Sequence, residues 1–457
     1  MKLLLLHAWA DLRQLRRTHF NHSFSFLRYA PQHDYVLHCA GRPIPEEVRR
    51  GRFDAILLDV SFLCLRWARP RTVLDALKAD YAFVAEARCP KLAFPQDDYD
   101  HSAVLDDWMA DWRVDHIFTP LARFRDILYP RAKSSAAIHP SLTGYVDAAE
   151  VGRFRRHARP WGERPIDVGY RAAKLPPHYG WLGRLKTELG ERFAAALPRD
   201  AGLRLDIGNR PILGSDWLRF VADCRFMLGT ASGSTLLDPR GLIRDKVAAY
   251  LDEHPDADFA AVEAACFPGQ DGLHEFSALG PRNLEAAMAR TCQILVPSAG
   301  LAPMEADRHF IPLARDMGNL EEVLAAMRDG AAAIRRAEAC YELFVADPAY
   351  RYSRFVKRVL DIAGIDSDMP TLDLEEEAEL AALSGERVME RLWREEATYL
   401  RDHAIVPALA GTLSPRAAAS SWRDWALQLL RLCLPAGLLL YARRARRARR
   451  EGDDDGM

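Results

Sequence analysis

No two of the eight cysteines form a CxxC pair, and neither sign of charge prevails, with 62 Lys and Arg against 64 Asp and Glu. The thiols at 39, 64, 89, 224, 266, 292, 340 and 433 are scattered, which argues against a zinc knuckle or a disulfide framework and fits a reducing cytoplasm. A formal charge of -2 exerts no whole-protein pull on polyanions, so no nucleic-acid partner is expected. No motif recurs at a fixed period, which argues against a solenoid or propeller. The opening MKLLLL resembles the start of a secretion signal, but His7 and Asp11 interrupt it before an apolar core or a cleavage site can form. Residues 2–6 are therefore expected as a buried first strand.

What is present is a globular composition: 457 residues, 49% apolar and 28% charged, enough for two cores plus further C-terminal material. Short apolar runs at 3–6, 35–38, 55–58, 91–94 and 116–118 alternate with stretches of helical spacing such as 12–29 and 103–112. That is the βαβ rhythm of a parallel sheet covered by helices. The passage VGRFRRHARPWGERP shows neither period and reads as an interdomain connection. A second series of strands is expected at 166–170, 203–207, 226–229, 294–297 and near Ile311. The fold class is thus α/β: two Rossmann-like doubly wound domains, 1–155 and 156–345, facing a cleft where such sheets bind ligands, with a C-terminal helical extension over 346–410.

Residues 411–457 form a linker and a tail. From 425 to 442 nearly every residue is apolar apart from Gln428 and Arg431, and six arginines follow in YARRARRARR. A spanning helix needs about 20 apolar residues, so lying in the membrane interface is favoured over crossing, with the arginines among anionic head groups. A docked core helix with a solvated basic end is the equal alternative. The segment 425–450 accordingly gives an expected contact with the inner membrane surface.

Several stretches carry candidate chemistry. In LGPRNLEAAMARTC, Glu285 falls in the first turn of a helix at the sheet edge. The helix dipole alone accounts for a carboxylate there by about 0.3 to 1 kcal/mol. The functional alternative is that Glu285 accepts hydrogen bonds from two ribose hydroxyls while Arg282 and the amides of that turn, at Asn283, face phosphate. In GTASGSTLLD, Gly229, Ser232, Gly233 and Ser234 follow a strand and bring amides and hydroxyls close to a sugar or phosphate, unless the segment is a plain turn. His309 touches the donor or is structural. In FPQDDYD, Asp97 and Asp98 are candidate bases, with helix capping as the rival explanation. The tripeptide Asp98-Tyr-Asp100 has the Asp-x-Asp form of a metal site, but that form recurs three times elsewhere and discriminates little. His19 and His22 lack a third ligand at convincing spacing, so no metal site is expected.

ALGPRNLEAAMARTCQILVPSAG with DRHFIPLARDMGNLEEVLAAM resembles the donor-domain signature of GT-B glycosyltransferases, in particular the bacterial group-1-like enzymes of surface-polysaccharide synthesis. FPQDDYD, LTGYVD, DVGYRAAKLPPHYGWLGRLK, FMLGTASGS and RYSRFVKRVLD resemble the same group in a consistent order from about residue 20 to 362. The resemblance implies an enzyme that moves a sugar from a nucleotide-sugar donor to a glycan or lipid-linked glycan; with the thiol pattern and the tail, the expected place is the cytoplasm, peripheral at the inner face of the membrane. The second domain would hold the donor and the first the acceptor. Glu285 would be the ribose ligand, and Arg171 and Lys186 would hold the diphosphate, with Arg184 competing. No cofactor and no essential metal are implied, since GT-B enzymes neutralise the leaving phosphate with side chains and a helix N-terminus. One departure stands out: many retaining relatives carry a glutamate eight positions before the ribose ligand, where this chain has Ser277, with Glu275 two residues away. A non-catalytic glycan- or nucleotide-binding protein and a nucleotide-sugar 2-epimerase are the alternatives.

The tail reading predicts that the full-length protein partitions with membranes on fractionation while a chain ending near residue 415 stays in the supernatant. Equal solubility of the two overturns it.

Overall fold

The computed structural model describes residues 1–12 and 15–401; the tail at 425–450 lies outside the described residues. Of the described residues, 1–11 and 15–379 form one compact unit and Leu12 with 380–401 belong to another. Helix Leu374–Leu400 begins in the first, and its part in the second carries the one-turn pairs Glu390–Arg394 and Arg391–Glu395. Among the described residues no helix is long and apolar enough to cross a membrane.

The first unit contains two parallel sheets. Strands β1 (Lys2–His7), β2 (Asp34–Cys39), β3 (Ala55–Leu58), β4 (Lys91–Ala93), β5 (His116–Thr119) and β6 (Ala137–Pro140) lie in the order β2-β1-β3-β4-β5-β6. Leu3 to Leu6 are fully buried, as a central strand covered on both faces requires. Strand β6 is an edge with exposed ends and little apolar content, which is why no hydrophobic run announces it. The second sheet contains β7 (Ile166–Arg171), β8 (Leu205–Gly208), β9 (Cys224–Gly229), β12 (Cys292–Leu295) and β13 (Phe310–Pro312), ordered β13-β12-β9-β7-β8. In each sheet the chain first builds towards one edge and then reverses, so switch points fall between β1 and β3 and between β7 and β9. These are two Rossmann-like domains. Between β9 and β12 in sequence, β10 (Ser232–Ser234) and β11 (Phe276–Ala278) form a small antiparallel pair.

The passage read as a featureless connection is in part a helix, Ala148–His157. Asp147 caps it by accepting from the amides of Ala149 and Glu150 at 3.1 and 3.3 Å, while Val151 and Phe154 turn one face inward and the arginines line the rest. Asp147 also forms a buried ion pair with Arg28, 2.5 Å long, and this partner holds its carboxyl low although burial alone would raise it. The returning chain crosses at the same place, where Val146 and Tyr350–Tyr352 exchange backbone hydrogen bonds of 2.8 and 3.1 Å. Helix Tyr352–Ile362 then packs on the first domain, Phe355 stacking on Tyr145 at 4.4 Å and meeting Phe26 and Phe94 near 6 Å.

A second seam ties the domains together. Phe276 and Ala278 of β11 belong to the core of the first domain, Phe276 lying 4.8 Å from the Phe124 ring and 6.0 Å from Tyr99. Arg123 donates to the carbonyl of Ser277 at 2.6 Å. Asp238 and the Tyr99–His101 segment join through backbone bonds of 3.0 and 2.6 Å, and Arg244 donates to Asp100 at 2.7 Å. Gly233 makes the β10–β11 pairing feasible: its φ is +141°, and a Cβ there would fall 1.9 Å from the carbonyl oxygen of Phe276.

Replacing Gly233 by Ala is therefore expected to cost about 2 to 4 kcal/mol of stability from strain and overpacking combined. Urea unfolding of the wild type and the variant measures it, and an unchanged midpoint would refute the requirement.

Candidate functional site

The wall contributed by the first domain is the loop 94–101 after β4. Arg66, with no exposed surface, donates to the carbonyls of Leu63, Gln96, Asp97 and Asp100 at 2.8 to 3.0 Å and so fixes the path of this loop. Asp97 adopts a left-handed conformation, φ +52°, stays half-buried, and accepts from the Tyr99 hydroxyl at 2.7 Å. Its neighbour corrects an expectation. Asp98 is fully buried, accepts from Tyr129 at 2.6 Å and from Thr119, and has its carboxyl pushed up by burial; it faces the core and cannot reach an acceptor. Asp100 pairs with His101 and Arg244, so the Asp-x-Asp triplet does not converge. Among the described residues no three metal-ligating side chains cluster.

The opposite wall is built at the C-terminal ends of β7, β9 and β12. Lys186, from helix Gly180–Ala196, brings Nζ to 3.4 Å from the Ser232 hydroxyl. Burial and the nearby Arg282 lower its pKa to about 8, while the charge of Asp97 across the cleft opposes the shift. Helix Pro281–Met288 starts at Gly280, and Pro281 in its first turn lacks the amide that such a turn leaves unpaired. Arg282, next along, donates to the backbone carbonyl of Arg171 and lies 5.5 Å over the Trp217 ring. Burial lowers its pKa, and the charge of Arg16 from the first domain adds to the effect. One turn on, Glu285 Oε2 accepts from Trp217 Nε1 at 3.0 Å. Burial pushes the Glu285 carboxyl up to about 7, against the Trp217 hydrogen bond and the Arg282 charge, which favour ionisation. The fold thus assembles Lys186, Ser232, Arg282 and Glu285 on one side, with Asp97 and Arg16 facing them.

Other expected residues lie elsewhere. The Arg171 guanidinium is engaged by the Asp206 carboxylate and the carbonyls of Tyr170 and Asp206, so its charge is already met. Asn283 is buried, its Oδ1 accepting from the Gly280 amide at 3.1 Å and its Nδ2 donating to Gln293 at 2.8 Å; it braces the helix start. Gly229 closes β9, its carbonyl accepting from Val296. Ser234 is buried, its hydroxyl bonded to the Leu236 backbone, whereas Gly233 is held by the β10–β11 pairing. His309 precedes β13, at the end of the sheet away from the cleft, and Nδ1 accepts from the Glu305 amide at 2.9 Å, a structural role. Arg184 pairs with Glu188 on the helix surface. His22 is buried beside Phe355, and His19 stacks on Trp9.

Ser277 is also buried. Its hydroxyl donates to Glu275 Oε1 at 2.9 Å, and Ser298 donates to the same oxygen at 2.5 Å, so the Glu275 carboxylate is drawn back beside position 277. Residues two apart in an extended segment share a face, which allows this. Trp217, Tyr99, Arg16 and Arg66 are the participants that sequence reasoning missed: Tyr99 lies in FPQDDYD but carries no candidate chemistry there, the other three sit in no motif, and each acquires its partners only through the tertiary fold.

No family model and no curated protein sequence matches the chain. Among solved structures, an alpha-glucosyltransferase in complex with UDP and a 13-mer DNA containing a HMU base is similar over 80% of this chain and 99% of its own, at 12% identity and a TM-score of 0.49. Anabaena HepE in complex with UDP is similar over 80% of this chain and 100% of its own, at 10% identity and a TM-score of 0.45.

The two shifted groups set opposite limbs of a pH profile. A ligand that hydrogen-bonds ionised Glu285 binds less tightly as pH falls through about 7, and an anion held by protonated Lys186 binds less tightly as pH rises through about 8. Affinity for an anionic ligand that engages both groups should peak between these values and fall by about tenfold per pH unit beyond them. Calorimetric titration from pH 5.5 to 9.5 tests this; Glu285→Gln should flatten the acid limb and Lys186→Met the basic one.

Proposed function

We propose that the chain is a glycosyltransferase of the GT-B type that transfers a sugar from a nucleoside-diphosphate sugar to a hydroxyl of a glycan or lipid-linked glycan, as in bacterial surface-polysaccharide synthesis. The observation that carries this reading is the convergence of Lys186, Arg282 and Glu285 at the strand ends of one Rossmann-like domain, opposite Asp97 of the other. In this reading Glu285 accepts from the ribose hydroxyls, and Lys186 and Arg282 hold the diphosphate. The acceptor oxygen attacks the anomeric carbon, the bond from that carbon to the phosphate oxygen breaks, and the electron pair leaves with the nucleoside diphosphate. Lys186 and Arg282 neutralise that charge without calling on a metal. The acceptor proton passes to Asp97, which Tyr99 orients through its hydroxyl. An enzyme of this kind works at the inner face of the cytoplasmic membrane when its acceptor is lipid-linked.

The burial of Ser277, where many retaining relatives carry a carboxylate, favours a second reading: a nucleotide- or glycan-binding protein that lacks the reaction. A thermal-shift titration with UDP, GDP, CMP and their common sugars, on wild type and Glu285→Ala, decides first whether a nucleotide binds. A selective, saturable shift that vanishes in Glu285→Ala is expected; no shift with any nucleotide overturns the donor site. With the bound donor supplied, Asp97→Asn should keep the shift and lose about 100- to 10,000-fold in transfer rate. Binding without turnover on any acceptor favours the binding protein, and interconversion of the nucleotide sugar without acceptor favours an epimerase.

A further inference from the structure

The indole of Trp217 sits in helix Ser215–Asp223, on the link between β8 and β9, and makes two contacts with the neighbouring helix Pro281–Met288. Its N–H donates to Glu285 Oε2 at 3.0 Å, and its face lies 5.5 Å from the Arg282 guanidinium. Glu285 is only partly covered, and among the described residues no donor is recorded for its Oε1. An indole nitrogen has one hydrogen and accepts nothing, so it can satisfy only one of the four lone-pair directions of a carboxylate. It therefore pins the plane of the group through Oε2 while Oε1 and the second lone pair of Oε2 remain available.

A carboxylate in a helix side chain is otherwise free to turn about its last torsion, where the preference is broad and two-fold. Two adjacent hydroxyls are bound together only when both oxygens face them at once. The backbone does not enforce that orientation, and Arg282 does not, because among the described residues it makes no hydrogen bond to Glu285; one of its nitrogens donates to the carbonyl of Arg171 and its plane lies by the indole face. We propose that Trp217 is a positioning residue that turns Glu285 towards a vicinal diol and thereby makes the site selective for ribonucleotides over 2′-deoxyribonucleotides. This rests on Glu285 being the ribose ligand. It adds a sugar-discrimination role for a residue that touches no substrate and lies 68 positions from its target.

The test compares UDP with 2′-deoxy-UDP, and GDP with 2′-deoxy-GDP, by calorimetric titration of the full chain as wild type, Trp217→Phe and Glu285→Gln. Phenylalanine keeps an aromatic face for Arg282 and removes only the donor and part of the ring. Wild type should prefer the ribonucleotide of the pair it binds by about tenfold or more, the scale of one hydrogen bond to a charged group. Trp217→Phe should reduce that preference to about twofold by weakening the ribonucleotide, while affinity for the deoxy form and the unliganded melting temperature stay near wild type. A preference kept in Trp217→Phe but lost in Glu285→Gln overturns the role of Trp217 alone. No preference in wild type, or one kept in Glu285→Gln, overturns the ribose reading of Glu285 and this inference with it. If Trp217→Phe melts early, Trp217→His, which restores a ring N–H, should recover the preference where the contact matters; failure to recover it in a folded Trp217→His overturns the proposal.

Discussion

The Arg66 side chain has no exposed surface and, among the described residues, no carboxylate in ion-pair contact; its guanidinium is met by the carbonyl dipoles of Leu63, Gln96, Asp97 and Asp100, and its charge acts on the nearby Asp98 and Asp100 carboxyls. A buried cation is costly unless hydrogen-bonded on every side, so the guanidinium and the loop constrain each other: the loop satisfies the arginine, and the arginine dictates where the loop runs. Three consecutive features depend on that path. Asp97 reaches the cleft, Asp98 turns into the core against Thr119 and Tyr129, and Asp100 meets the segment around Asp238 and Arg244. One ion therefore organises a wall of the site, a buried polar network and a seam between domains.

On the opposite wall the chemistry is poised by desolvation. Lys186 and Glu285 are both displaced towards neutrality by burial, and both carry a nearby charge that acts the other way, Asp97 for the lysine and Arg282 for the glutamate. Groups held in this balance respond strongly to a ligand that brings or removes charge, and shifted groups that face a cleft mark a candidate site.

The alternation of apolar runs with helical spacing read out the two parallel sheets, because central strands such as β1 and β3 are buried on both faces and must be aliphatic. Strands β6, β10 and β11 escaped, since an exposed edge and a pair of three-residue strands, SGS and FSA, carry no such signal. The same split holds at the site. The motifs of Glu285, Arg282 and Lys186 placed all three at the strand ends of the second domain, where the fold brings them together. Motif position did not reveal that Asn283 is spent on Gly280 and Gln293, that Arg171 is engaged by Asp206, or that Asp98 points inward, because these depend on which hydrogen-bond partner the tertiary fold supplies. Trp217 and Arg66 were invisible for the same reason: their partners lie 68 and about 30 positions away in the chain.

Phe276 belongs by chain order to the second domain and by packing to the core of the first, with β10 held to it through Gly233. The two halves are consequently not interchangeable parts. Domains joined by a small polar interface are separable in principle, each with its own core. Here a recombinant that exchanged the second half would have to carry a β10–β11 pair matching the Phe124 and Tyr99 pocket of its new companion. A point change within the cleft leaves that junction untouched.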